Sequence, residues 1–298
     1  MKTQSLVVYI RDQLISGAEA LPFSLAAALL FGSAAKGVQK DESDIDLLIV
    51  AEGINPKLHR RGVEISFIKR ILPELSLDVL LLTKEEVLSN FRNHNPLFLD
   101  IAQEGIIVFD KVGILGKIIS QTKQYINEKG IRKYGDGWIF PVKRGMAVYL
   151  SKISNKDFSL AMLKDADRDC HIGKKLIQDG YYDKAVYHFQ QSVEKAVKSI
   201  LIAFGVFQKT HLTGAILRRL LAERDIPPER KESLLELAEI SEVIEPEVSL
   251  SRYPSIINDS LWLPFEEYEK GDAEAAMERA GRALCTANEF ITDWFSGS

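Results

Sequence analysis

The sequence predicts an α/β (α+β) domain with a small mixed sheet, followed by an all-α helical bundle. Three observations point there. The length of 298 residues suits two domains at about 150 residues each. Through residue 110, short apolar runs that stop at glycine or a charged turn alternate with amphipathic stretches. From about residue 155 onward, apolar residues recur only at helical spacing. The composition, 46% hydrophobic and 27% charged, excludes a disordered or fibrous chain and leaves material for two cores. The formal net charge of −4 speaks against a broad nucleic-acid-binding face, which is usually basic. A local basic patch stays compatible with it.

The elements follow in chain order. Leu6, Tyr9, Ile10 and Leu14 lie at helical spacing within Ser5–Ile15. Ser24–Phe31 is apolar nearly throughout and meets Gly32, so a buried strand should run into a turn there. Ile45–Val50 is a second buried strand, stopped by Glu52-Gly53, and Leu75–Leu82 a third. Thr83 with Glu86 three residues later reads as a capping box that starts a helix. Ile106–Phe109 is a short fourth strand after Gly105. Val112–Glu128 looks helical, and the turn formers from Tyr134 to Trp138, with Pro141, read as a loop. The domain boundary belongs in this stretch. Five helices follow. Ser154 caps the first, which runs through Gln178 and stops at Gly180. The second spans Tyr182–Phe204 and ends at Gly205. Thr210 caps the third, through Ala222. Pro227-Pro228 opens the fourth, through about Ser241, and Asp272 caps the last, with its alanine-rich face. Short links between five helices imply a bundle.

No stretch is long enough to span a membrane: the longest apolar run, Pro22–Phe31, is broken by Ser24, and about 18 residues are needed. Arg11 and Asp12 interrupt the early apolar run, so no signal peptide is expected. Cys170 and Cys285 are far apart and show no metal spacing. The cytoplasm is the location expected by default.

The sharpest feature lies between the first two strands. Gly32-Ser33 ends the first, Lys36 follows, and ten residues separate Ser33 from Asp44 in the run Ser43-Asp44-Ile45-Asp46-Leu47. Glycine at such a turn lets backbone N–H groups approach an anion closely. Ser33 adds a hydroxyl and Lys36 a positive charge. Asp44 and Asp46 stand two residues apart at the start of a strand and so share a face. Paired carboxylates repel unless a cation lies between them. Mg²⁺ is suited to that place, because it binds one or two carboxylates together with phosphate oxygens. Asp78 lies inside the third apolar run and, buried there, would need a partner or a metal. Three acids could complete a two-metal site for phosphoryl or nucleotidyl transfer. Glu64 and Glu74 are the alternatives for the third acid.

This block resembles the DNA polymerase beta-like nucleotidyltransferases, in particular the minimal and kanamycin nucleotidyltransferase-like domains. Gly32, Ser33, Asp44 and Asp46 match that pattern directly, and 95–110 looks like its closing helix and strand. The resemblance implies that Asp44, Asp46 and Asp78 hold Mg²⁺ in a two-metal site. It also implies that Gly32, Ser33, Lys36 and Ser43 contact a nucleoside triphosphate, with ATP favoured. Asp78 would be the base that activates an acceptor hydroxyl, and pyrophosphate would leave.

The later half resembles the HEPN domain through the run Gly180–Ala196, through Lys209-Thr210-His211-Leu212 and through Ser251-Arg252-Tyr253-Pro254. Lys209, His211 and Arg252 are its candidate contacts. Of the two readings of His211, the turn-stabilising one near a helix start is favoured over nucleotide binding, and Arg252 reads either as part of a turn or as a phosphate contact. The resemblance implies a homodimer through the HEPN helices. Some HEPN domains are ribonucleases with an arginine four to six residues before a histidine. Here Arg168 precedes His171 by three, and neither His188 nor His211 has an arginine at that offset. Ribonuclease chemistry is therefore not expected. The resulting division is 1–112 for the nucleotidyltransferase domain, 113–154 for a helical linker and loop, and 155–298 for the HEPN bundle. The expected activity is Mg²⁺-dependent transfer of AMP from ATP to an acceptor hydroxyl. The alternative is a nucleotide-binding regulatory protein of toxin–antitoxin type, whose HEPN domain binds a partner or RNA.

Overall fold

A computed structural model describes residues 3–38, 43–148, 152–257 and 259–296. It forms two compact units, Met1–Gly130 and Ile131–Ser298. The division falls after Gly130, so the helix preceding it belongs with the first unit.

The first unit runs α1 (Thr3–Ser16), β1 (Ser24–Phe31), α2 (Gly32–Lys36), β2 (Ile45–Glu52), α3 (Gly62–Ile71), β3 (Leu77–Leu82), α4 (Lys84–Arg92), α5 (Pro96–Glu104), β4 (Ile106–Asp110) and α6 (Leu115–Lys129). The sheet order is β3-β2-β1-β4. β1 pairs antiparallel with β2 and β4, while β2 and β3 run parallel. The sheet is therefore mixed, as the sequence predicts. β1 and β2 are central, which is why they read as continuous apolar runs rather than as alternation.

Alternate residues feed two cores. Leu30, Leu47, Ile49 and Leu81 pack with Ile10, Leu14 and Ile68 of α1 and α3. Leu29, Leu48, Val50 and Leu82 pack with Phe91, Phe98 and Ile101 of α4 and α5, and with Leu115 of α6. With both faces covered, chemistry is left to the strand ends. The turn expected after β1 is instead the one-turn helix α2, closed by Gly37 in the left-handed region.

The parallel β2–β3 pair needs a crossover, and Arg61 pins it. Its side chain is fully buried. Its Nε donates to Asn55 O at 2.7 Å, Nη1 to Leu81 O at 2.9 Å, and the two terminal nitrogens to Glu86 at 2.6 and 2.8 Å. Glu86 also completes the Thr83 capping box at the start of α4. One carboxylate thus caps a helix and neutralises a buried cation.

The second unit runs β5 (Arg132–Tyr134), β6 (Gly137–Ile139), α7 (Asn155–Gln178), α8 (Tyr182–Ala203), β7 (Val206–Phe207), α9 (Gly214–Glu223), α10 (Pro228–Ile244), α11 (Glu247–Leu250), β8 (Ser255–Ile257), β9 (Ser260–Trp262), α12 (Pro264–Glu267) and α13 (Lys270–Ser296). The apolar stripe of α8, with Phe189, Val193, Val197 and Ile200, lies at the centre of the core. α7 approaches it closely: a Cβ at Gly173 would stand 2.7 Å from the Phe189 ring.

Three sequence expectations need correction here. The loop at 134–138 is a hairpin, and β6 pairs onward with β7. Its glycine content serves the tight turn and the close pairing, since a Cβ at Gly137 would stand 1.8 Å from Phe207 O. Thr210 does not cap the third helix. Its hydroxyl accepts from Leu212 N in a local turn, and the helix starts at Gly214. Asp272 lies inside α13 rather than before it, accepting from Glu269 N at 2.8 Å. Such reciprocal bonds satisfy N-terminal donors from within the first turn. Among the described residues, no helix is long and apolar enough to cross a membrane.

Candidate active site

The candidate site of the first unit is assembled at the N-terminal ends of β2 and β3. In the parallel register Asp46 stands opposite Asp78, and Ile45 opposite Leu77. Strand alternation puts both aspartates on the face that carries Leu48 and Leu82. Asp44 lies just before β2, and its Oδ1 accepts from Ser76 Oγ at 2.5 Å. Ile45 N donates to Ser76 O at 2.8 Å, which ties the two strand starts together.

On the other side of Asp46 stands the end of β1. Phe31 pairs with Asp46, and Gly32 follows at φ +69°. A Cβ built on Gly32 would lie 1.9 Å from Asp46 Oδ2 and 2.7 Å from its Cγ. Glycine is therefore required twice at this position, by the left-handed backbone and by the carboxylate packed against it. Ser33 is half-buried in α2, whose first N–H groups have no intrahelical acceptor. Lys36 is on the same short helix, ion-paired with Glu104 at 2.8 Å, so its charge is shared. Ser43 is half-buried immediately before Asp44. Positions 39–42 lie outside the described residues.

Asp78 is exposed, not buried as the apolar run suggested. β3 is an edge strand and Asp78 is its second residue, so the carboxylate is solvated at the open end of the sheet. Among the described residues it makes no hydrogen bond or ion pair. The alternatives are engaged elsewhere. Glu64 accepts from Asn55 N at 2.9 Å, and Glu74 from Tyr9 Oη at 3.4 Å.

The donor set suits a hard divalent cation: oxygen ligands, carboxylates facing across a strand pair, and one of them without a partner. No three His, Cys, Asp or Glu among the described residues converge on one point. Mg²⁺ does not need such a cage, since it completes its octahedron with water and substrate phosphates. The residues fit a metal that arrives with its nucleotide.

In the second unit, His211 Nδ1 stands 3.0 Å from Glu194 Oε2, and Lys198 reaches the same carboxylate at 2.7 Å. Glu194 is buried and also accepts from Gln190 at 3.2 Å. His211 is thus bound to α8, and the turn-stabilising reading accounts for its geometry. Lys209 lies two residues before it. The guanidinium of Arg252 is stacked over Tyr187 at 5.1 Å and Tyr253 at 4.8 Å.

A second polar network, missed in the sequence, joins α7 to α8. Asp169 accepts from His188 at 3.0 Å and from Lys195 at 2.5 Å, and Lys195 also meets Asp165 at 2.6 Å. Burial would raise the Asp169 carboxyl, but the His188 and Lys195 hydrogen bonds outweigh it and hold it below its ordinary range. The signal was present as acids four apart on α7, facing a His and a Lys seven apart on α8.

The polymerase beta nucleotidyltransferase family model matches residues 19–112, and the HEPN domain model matches 159–290. The first unit is accordingly a nucleotidyltransferase domain of the polymerase beta type. The chain belongs to the proteins that join such a domain to a HEPN domain. The candidate toxin MJ1304 of Methanocaldococcus jannaschii is 34% identical over 139 residues, which is 47% of this chain and 91% of that protein. Among solved structures, the archaeal HEPN homologue ST0689 is 26% identical with a TM-score of 0.34, covering 45% of this chain and 97% of its own. A nucleotidyltransferase-like protein from Exiguobacterium sibiricum is 16% identical with a TM-score of 0.36, covering 84% of this chain and 82% of its own.

Proposed function

We propose that the protein transfers AMP from ATP to an acceptor hydroxyl, with Mg²⁺ bound and pyrophosphate released. The observation that carries this reading is the pairing of Asp46 with Asp78 beside Gly32, at the open end of a nucleotidyltransferase sheet. Asp44 and Asp46 would hold the metal, and Ser76 orients Asp44. When bound, Mg²⁺ neutralises charge on the transferring phosphoryl group. Gly32 and Ser33 would present backbone N–H groups to the terminal phosphates, with Ser43 and Lys36 at the margin. Asp78, solvated and unpartnered, would accept the proton of the acceptor hydroxyl. The test is label transfer from α-labelled ATP with Mg²⁺, comparing the native protein with Asp44→Ala plus Asp46→Ala. Label that persists in the double variant would remove the site from the reaction.

A second reading rests on the similarity to a candidate toxin. The chain would bind nucleotide without turning it over, and its HEPN unit would hold a protein partner or RNA. Calorimetry with ATP and Mg²⁺ beside a pyrophosphate assay separates the two, because binding without release favours the second. Under either reading we place the protein in the cytoplasm as a HEPN-mediated homodimer. The two free thiols, Cys170 and Cys285, suit that compartment, and light scattering reports the oligomeric state.

A further inference from the structure

Away from the groups described above, the second unit contains a cavity of about 210 Å³. Its floor is aromatic. The Phe290 and Trp294 rings stack with centroids 5.6 Å apart, and Phe204 packs against both at 5.0 and 4.8 Å. Val142, Ile226 and Pro227 add apolar wall.

Three arginines line the same space, and they are not equivalent. Arg230 is neutralised by Asp293, with Glu289 3.7 Å away. Arg224 donates to Phe204 O at 3.0 Å and lies over the Phe204 ring at 5.5 Å. Burial pushes its pKa down, against the opposing influence of Tyr134 and Glu223. Arg144 is exposed and makes no hydrogen bond or ion pair among the described residues. The residue after it is tied to α13, with Gly145 N donating to Trp294 O at 2.8 Å. Asp225 is the remaining acid among the described residues of the lining, so Arg144 and Arg224 outnumber it.

Trp294 is 9% exposed, so its indole adds to the wall while most of the ring is held in the core.

We propose that this cavity binds a small amphipathic oxyanion, an apolar body about the size of one aromatic ring bearing a single carboxylate or phosphate. The aromatic floor takes the body, and the Arg144 and Arg224 forks match the planar oxygens of the anion. Size sets the limit. A cavity of about 150 Å³ accommodates benzene, whereas drug-sized ligands need about 300 Å³ or more. The cavity is too small to enclose a nucleoside triphosphate.

The full-length protein is titrated by calorimetry and tryptophan fluorescence with benzoate and phenyl phosphate, and with benzyl alcohol and inorganic phosphate as half-ligands. Saturable binding at a Kd of about 0.1–5 mM is expected for ligands this small, with each half-ligand at least tenfold weaker. The preference between benzoate and phenyl phosphate identifies the oxyanion. Arg144→Ala, exposed and therefore harmless to folding, should weaken binding about tenfold, and Trp294→Phe should abolish the fluorescence change. No saturable binding in that range overturns the proposal. So does benzyl alcohol binding as well as benzoate, or an Arg144→Ala variant with native affinity.

Discussion

Gly32→Ala separates two roles of one glycine. The position has φ +69°, where an L-residue costs about 1–2 kcal/mol. The new Cβ would also lie 1.9 Å from Asp46 Oδ2. Relieving that overlap moves the carboxylate by more than about 1 Å, and a displacement of that size in a reacting group can cost about 100-fold in rate. Gly37→Ala is the matched control. Its φ is +71°, but among the described residues the nearest heavy atom to a Cβ built there is Thr3 Oγ1 at 3.7 Å. Calorimetric scans should show both variants destabilised by about 1–2 kcal/mol, near 5 °C for a unit of this size, with Gly32→Ala lower by up to about 1.5 kcal/mol more for a strained Asp46 rotamer. In the α-labelled ATP assay, Gly37→Ala should transfer label at close to the native rate and Gly32→Ala about 100-fold more slowly. Equal rates in the two variants would refute the claim that Gly32 sets the position of Asp46.

Asp78→Asn should leave stability within about 0.5 kcal/mol, as expected for an exposed edge residue, while label transfer falls at least about 100-fold; a stability loss without a rate loss would make Asp78 structural. Arg61→Met should destabilise the first unit by about 3 kcal/mol, the lower end for breaking a buried pair, because Glu86 is partly solvated. Hydrogen bonds from Arg61 hold the Glu86 carboxyl below its ordinary value. Its contribution is therefore full above the ordinary glutamate range and lost as pH falls through the folded value. Acid titration of stability should accordingly be flatter in Arg61→Met than in the native chain. Gly137→Ala would force a Cβ to 1.8 Å from Phe207 O, and hydrogen exchange should show the β6–β7 bonds opening while the α7–α8 amides stay protected.

What the sequence revealed was what local chemistry dictates. The bounds of β1, the capping box at Thr83 and the start of α7 were legible because central-strand burial and cap residues act within a few positions. The Asp46–Asp78 pairing was foreshadowed by the shared pattern, but its geometry depends on parallel register, which no local signal encodes. The exposure of Asp78 was misread because an apolar run does not say which strand lies at the sheet edge. The 134–138 stretch was misread because its third strand comes from 206–207, far along the chain. Arg61 went unnoticed because an arginine in a charged stretch reads as solvated, and only the fold supplies Glu86 and the Leu81 carbonyl around it.

The register that brings Asp46 opposite Asp78 has a further consequence. A one-residue slip of β3 along β2 would turn its side chains to the opposite face, exchanging Asp78 for an apolar neighbour and driving its carboxylate toward the apolar core packed against α1 and α3. No half-competent version of the carboxylate pair therefore exists. Partial heat or denaturant damage should reduce the number of working molecules while each survivor keeps its full turnover, so inactivation curves and unfolding curves for the first unit should superimpose.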